Sequence, residues 1–130
     1  MIVIDASAVI AMLLRLESAE SILDRVLRRG ETLHAPHVID VEVAQVVRRY
    51  WRVGDITAAR GDEALRDLAA LPIERYSHEP LLDRIWQLRN NATAYDGAYI
   101  ALAEGLDAVL LTLDSALARI PGVRAPVEVL

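Results

Sequence analysis

The chain has 130 residues, a net charge of −5 and 54% apolar residues, which suits one domain, residues 1–130, with a substantial core. It has no cysteine, so disulfides and thiolate metal sites are excluded. It has no lysine either: all 14 basic residues are arginine, which rules out a P-loop lysine, a Schiff base, or a lysine beside an acidic receiver pocket.

Met1-Ile2-Val3-Ile4 is a short β-branched run that predicts a strand buried on both faces. Asp5 ends it, and the small residues Ala6, Ser7 and Ala8 lead into a helix with Val9, Leu13 and Leu14 or Leu16 on one face. Ser18 to Arg29 predicts a second helix with Ile22, Leu23, Val26 and Leu27 inward, stopped by Gly30. Glu31 to Ala35 is a short strand candidate. After Pro36, Val38 to Trp51 reads as a helix with Ile39, Val43, Val46, Val47 and Tyr50 on one stripe, ended by Gly54. Asp55 to Ala70 predicts another helix, with Ile56, Ala59, Ala64, Leu65 and Leu68 among its apolar positions. Pro72 to Tyr76 fits a strand. Glu79 to Asn90, with Leu81, Leu82, Ile85, Trp86 and Leu88, fits a helix. Tyr95 to Glu104 is helical and closed by Gly105; Ala108 to Leu113 is a second strongly apolar strand, followed by Asp114 and a short helical turn. Pro126 to Leu130 is a candidate edge strand. Strands alternate with helices, so a mostly parallel sheet of four or five strands covered by helices is expected.

Four acids stand out. Asp5 and Asp114 each follow a buried strand, and if those strands are neighbours both open onto the same edge of the sheet, where open α/β sheets place ligands. Glu42 lies at the margin of an apolar helical stripe, and Asp96 lies near the start of a helix. Each also has a plain structural reading. Asp5 and Asp114 can cap the helical segments that follow them, Asp96 can complement a helix dipole, and Glu42 can point to solvent. Together the four would repel one another without a cation. Hard divalent cations take oxygen ligands, and magnesium binds one or two carboxylates with waters and substrate phosphate. Such a site suits phosphodiester hydrolysis.

The ordered set Ile2-Val3-Ile4-Asp5-Ala6-Ser7, Glu42, Tyr95-Asp96-Gly97-Ala98-Tyr99-Ile100-Ala101-Leu102-Ala103 and Leu111-Thr112-Leu113-Asp114 resembles PIN-domain ribonucleases. Within that family it is similar to VapC-type toxins of VapBC toxin–antitoxin systems, over the whole chain. The resemblance implies a three-layer α/β/α PIN-like sandwich and a magnesium-dependent endoribonuclease, with manganese as the alternative ion. It puts the acidic quartet on Asp5, Glu42, Asp96 and Asp114. Asp5 and Asp96 are the first metal ligands expected, and Glu42 and Asp114 bind directly or through water. Ser7 and Thr112 match the accompanying polar residues, and Gly97 stands where many relatives carry alanine. The resemblance further implies an RNA substrate, a homodimer, a cognate VapB-type antitoxin, and contact with DNA only through that antitoxin. A catalytically weak PIN module, acting through partner binding and autoregulation, is the alternative. A phosphorylatable signalling domain is disfavoured by the missing lysine.

Other residues carry less. His34 and His37 flank Pro36 without cysteine and read as loop histidines rather than a metal site; His78 reads as a cap-region residue. Arg48, Arg49 and Arg52 fit either a helix C-terminus or RNA phosphates, and Arg15, Arg28 and Arg29 are equally ambiguous. Trp51, Trp86, Tyr50 and Tyr99 sit at core-like spacing, which favours core or dimer interface over base stacking. No apolar stretch nears the roughly 20 residues of a membrane span, and no basic segment precedes the first apolar run. The absence of cysteine suits a reducing cytoplasm, and the family resemblance implies a cytoplasmic location.

Overall fold

Ile2, Val3 and Ile4 are wholly buried, as a β-branched run covered on both faces must be. They form β1 (Ile2–Ile4), the central strand of the computed structural model, which describes residues 1–130. β2 (Leu33–Pro36), β3 (Ile73–Tyr76), β4 (Val109–Thr112) and β5 (Val127–Val129) complete one five-stranded sheet in the order β3-β2-β1-β4-β5. Every pairing is parallel. The expected sheet is thus present, with no antiparallel strand.

Six helices cover it: α1 (Ala6–Leu13), α2 (Ala19–Val26), α3 (Val38–Arg52), α4 (Ala58–Ala70), α5 (Leu82–Gln87) and α6 (Ala94–Gly105). The chain steps from β1 outward to β2 and β3, then returns across the sheet to β4. Right-handed crossovers in opposite directions put helices on opposite faces. Accordingly α1 packs with α2, α3 and α4, while α6 packs on β1, β2 and β4 and against α5. The reversal leaves a crevice at the C-terminal ends of β1 and β4, the usual ligand position in an open α/β sheet. The register Ile4↔Leu111 sets Asp5 beside Thr112 at that crevice.

Helix boundaries follow local chemistry. Thr57 caps α4 by accepting a hydrogen bond from the Arg60 amide at 3.1 Å, so this helix starts three residues later than Asp55. After α3, Gly54 is left-handed (φ 82°), and the amides of Gly54 and Asp55 return to the carbonyls of Trp51 and Tyr50, a Schellman stop. At the end of α6 the left-handed residue is Asp107 (φ 51°), while Gly105 remains inside the last turn. The expected helix over Glu79–Asn90 is a 3₁₀ turn, Glu79–Leu81, followed by the six-residue α5.

Several expected core positions face outward. Leu27 is 76% exposed and lies beyond the end of α2; Leu23, Leu65, Leu82, Trp51 and Trp86 are exposed as well. α2 and α5 are short peripheral helices: α2 buries only Ile22 and Arg25, and α5 has no fully buried residue. His34 lies in β2 rather than in a loop. It is buried, and its ring nitrogens are satisfied by Thr32 Oγ1 and the Tyr76 hydroxyl, both at 2.7 Å. No helix is long and apolar enough to cross a membrane.

Candidate active site

Asp5 is 7% exposed and fixed from three directions. The Ser7 hydroxyl donates to Oδ1 at 2.6 Å, the Ala8 amide donates to the same oxygen at 3.1 Å, and the Thr112 hydroxyl donates to Oδ2 at 2.5 Å. Asp5 therefore is the cap of α1, and the capping reading and the site reading describe one residue.

Each supporting hydroxyl is itself held by β4 and its continuation. The Leu113 amide donates to Ser7 Oγ at 3.0 Å, and the Asp114 amide donates to Thr112 Oγ1 at 2.9 Å. A hydroxyl has one proton to give. Since both protons go to Asp5, the 3.4 Å approach of Ser7 and Thr112 is a contact between two oriented groups. Asp5, Ser7, Thr112 and Asp114 thus form one hydrogen-bonded unit across the crevice. Asp114 is exposed and also caps the following turn, its Oδ1 accepting from the Ala116 amide at 2.9 Å.

Glu42 and Asp96 enter from opposite layers. Glu42, on α3, is half-buried, and its Oε1 accepts a 2.9 Å hydrogen bond from the Tyr99 hydroxyl. Asp96 lies in the first turn of α6, where Thr93 Oγ1 accepts from its amide at 3.1 Å. Tyr99 was expected in the core or a dimer interface. It is buried at 2% exposure, but its ring lies one helical turn from Asp96, and that i, i+3 spacing was the signal for its place at the site. A buried tyrosine hydroxyl needs a partner, and Glu42 supplies it.

The electrostatics tie the acids together. Burial raises the Asp5 carboxyl above the ordinary carboxylate range, against the hydrogen bonds from Ser7, Thr112 and Ala8, and the charge of Asp114 adds to the rise. Burial also raises Glu42, opposed by Tyr99 and reinforced by Asp96 and Asp5. Asp96 is raised by burial and by Asp114 and Asp5, against the Thr93 contact. Burial and the charge of Glu42 push the Tyr99 hydroxyl far up, so it remains a donor.

No arginine relieves this charge. The arginine ion pairs lie elsewhere: Arg25 with Glu31 and Glu128, Arg60 with Glu63, Arg75 with Asp40, and Arg84 with Glu104. The donor set is oxygen alone, which fits a hard divalent cation. No three acidic or histidine side chains converge into a ready-made cage.

Two clefts flank the quartet. One, of about 340 Å³, includes Glu42; the other, of about 390 Å³, includes Asp96 and Arg119.

The PIN domain family model matches residues 2–123. Ribonuclease VapC9 of Mycobacterium tuberculosis is 39% identical over 129 residues, covering 99% of this chain and 98% of the relative. Among solved structures, M. tuberculosis VapC20, described as a sarcin-ricin loop cleaving toxin, superimposes with a TM-score of 0.73 at 10% identity, covering 97% and 99% of the two chains. VapBC2 from Rickettsia felis, bound to a DNA fragment from its promoter, superimposes with a TM-score of 0.71 at 15% identity, covering 98% of each. These structural likenesses support the fold alone. From the family match over nearly its whole length and the VapC relative at 39% identity, the chain belongs to the PIN-domain family, in its VapC branch.

Proposed function

We propose that this chain is a divalent-metal-dependent endoribonuclease, the toxin of a type II toxin–antitoxin pair, hydrolysing RNA phosphodiester bonds at Asp5, Glu42, Asp96 and Asp114. The observation that carries the reading is a group of mutually repelling carboxylates, three of them with raised proton affinity, and no arginine paired to any of the four. The ribonuclease names of the relatives agree with it.

Magnesium, or manganese in its stead, supplies charge neutralisation, polarisation of the scissile phosphate and a more acidic attacking water. The protein's part is positional. Asp5 is oriented by Ser7, Thr112 and the Ala8 amide, so its carboxylate does not need to reorganise when substrate arrives. Asp96 faces the same crevice from α6 and is the second ligand. Tyr99 holds Glu42 through Oε1, and Glu42 and Asp114 complete the set directly or through water. Hydrolysis adds one water across a P–O bond. A carboxylate of the set that the cation leaves unligated would be placed to accept the water's proton.

The partners follow from the same charge. An uncovered acidic pocket is costly to bury under neutral protein, so a VapB-type antitoxin is best matched by an arginine fork that pairs with two carboxylates and competes with the cation. A homodimer is part of the same reading.

Asp96→Asn tests it. The change keeps the shape and removes one charge. RNA cleavage in magnesium should fall by orders of magnitude, with the circular dichroism spectrum unchanged. Full activity in a folded variant would sink the assignment of Asp96. No cleavage by the native chain, with partner binding retained, would favour the weak-catalyst alternative.

A further inference from the structure

The cleft beside Glu42 has a composition that the acidic quartet does not explain. Its walls are Ala6, Val38, Val41, Val46 and Tyr95, with Gln45 and Arg49 as its other polar residues. Three of its residues belong to the acidic site or adjoin it: Ala6 follows Asp5, Tyr95 precedes Asp96, and Glu42 is itself in the quartet. A molecule in this cleft therefore lies against the group bound at the acids.

Tyr95 is 60% exposed and Val41 70% exposed, beside a carboxylate cluster. Such apolar surface costs free energy in water and is commonly found where something binds. Gln45 is exposed and offers one amide acceptor and two donors. Arg49 is exposed and has no carboxylate partner among the chain's ion pairs. Glu42, Gln45 and Arg49 are spaced i, i+3 and i+7 on α3, so they run along one face. Arg49 sits about 10 Å along the axis from Glu42 at 1.5 Å per residue, so a phosphate it meets belongs to a neighbouring nucleotide, not to the scissile one. About 340 Å³ falls at the lower end of small-ligand sites and suits one flat ring system.

We propose that this cleft is a nucleobase subsite, in which Tyr95 stacks on the base next to the scissile phosphate, Gln45 reads its edge and Arg49 holds the following phosphate. The inference rests on the endoribonuclease reading. Single-stranded RNA is recognised in this way, by bases splayed onto aromatic side chains with their edges hydrogen-bonded. The subsite gives the site a base preference, which carboxylates and a cation alone cannot provide.

The test compares the native chain, Tyr95→Ala, Tyr95→Phe, Gln45→Glu and Arg49→Gln on single-stranded RNA in magnesium, with Arg66→Gln as an exposed arginine control away from the cleft. Tyr95→Ala should lower kcat/KM about ten- to hundredfold, the usual worth of one stacked base, mainly through KM. Tyr95→Phe should restore it. An abasic residue scanned through the positions flanking the cleaved bond should abolish the difference between Tyr95→Ala and the native chain at one position. Gln45→Glu should change the base found at that position when the 5′ ends of products are sequenced. Arg49→Gln should raise KM more than Arg66→Gln does. Cleavage by the native chain with equal Tyr95→Ala losses on intact and abasic RNA would overturn the subsite while leaving the ribonuclease reading intact. A change of oligomeric state in Tyr95→Ala, seen by sedimentation, would likewise overturn it and assign the cleft to a protein interface. Absence of cleavage by the native chain in magnesium or manganese would remove both readings.

Discussion

Thr112 is wholly buried with both roles of its hydroxyl in use: it accepts from the Asp114 amide and donates to Asp5. Thr112→Val keeps the shape and strips both bonds. The cost should be about 1–3 kcal/mol, the penalty for buried polar groups left unpaired, read from the urea midpoint. Losing that donor should also raise the Asp5 carboxyl further, since the bond from Thr112 lowers it. The acid limb of the pH–rate profile should then move to higher pH. An unchanged midpoint and profile would remove Thr112 from the support of Asp5. Asp5 and Asp114 were legible as positions because a carboxylate directly after a buried apolar strand is a distinct pattern, whereas Glu42 and Asp96, on helices, rested on weaker placement and on the family resemblance. Tyr99 was legible only in part, because periodicity reads its ring and is blind to its hydroxyl. The loss of Leu23 and Leu27 from the expected core has a similar origin: spacing marks a face, but not how much of that face a neighbour covers.

At the level of elements, α5 and α6 meet closely at Gly97. A Cβ built there would lie 3.5 Å from Ile85 Cα and 3.5 Å from its Cγ2, which is ordinary contact. Gly97→Ala should therefore fit and stabilise the chain by about 0.5–1 kcal/mol, because glycine in a helix interior loses more backbone freedom on folding. A rise in denaturant midpoint at unchanged slope is the expected result; a fall would mean that this helix pair does not tolerate even a methyl group. Strand and helix order was readable from alternation of short apolar runs with 3.6-period segments. The boundaries were less so. Thr57 fixes the start of α4, and Asp107, not Gly105, takes the left-handed position after α6. Neither choice is visible to hydrophobic spacing, because caps are decided by which backbone groups need partners.

For the whole molecule, two sets of carboxyls pull stability in opposite directions. An acid whose folded pKa lies above its unfolded value holds more protons when folded, and stability falls as pH rises through that interval. Asp5, Glu42 and Asp96 are of this kind, so in chelator their contribution is greatest below the ordinary carboxylate range and vanishes above their raised values. Glu31 is held down by Arg25 and the N-terminus, and Glu104, despite its burial, by Arg84 and the Arg124 amide. Their contribution is present above the ordinary range and is lost as pH falls through the depressed values. Melting in chelator should therefore peak at mildly acidic pH rather than at neutrality. Magnesium at a hundred times its Kd should stabilise the chain by about 2.7 kcal/mol at neutral pH, and the midpoint should rise less at acidic pH, where protons compete for the carboxylates. Midpoints indifferent to magnesium at both pH values would argue against cation binding by the folded chain. The bond between Thr112 and Asp5 spans 107 residues, and Asp96 and Asp114 also lie far down the chain. Domains form during synthesis from the N-terminus onward. A ribosome that has delivered only β1 to β3 has made Asp5, Ser7 and Glu42 but not Thr112, Asp96 or Asp114, so on the proposed reading a message interrupted there would yield an inert fragment.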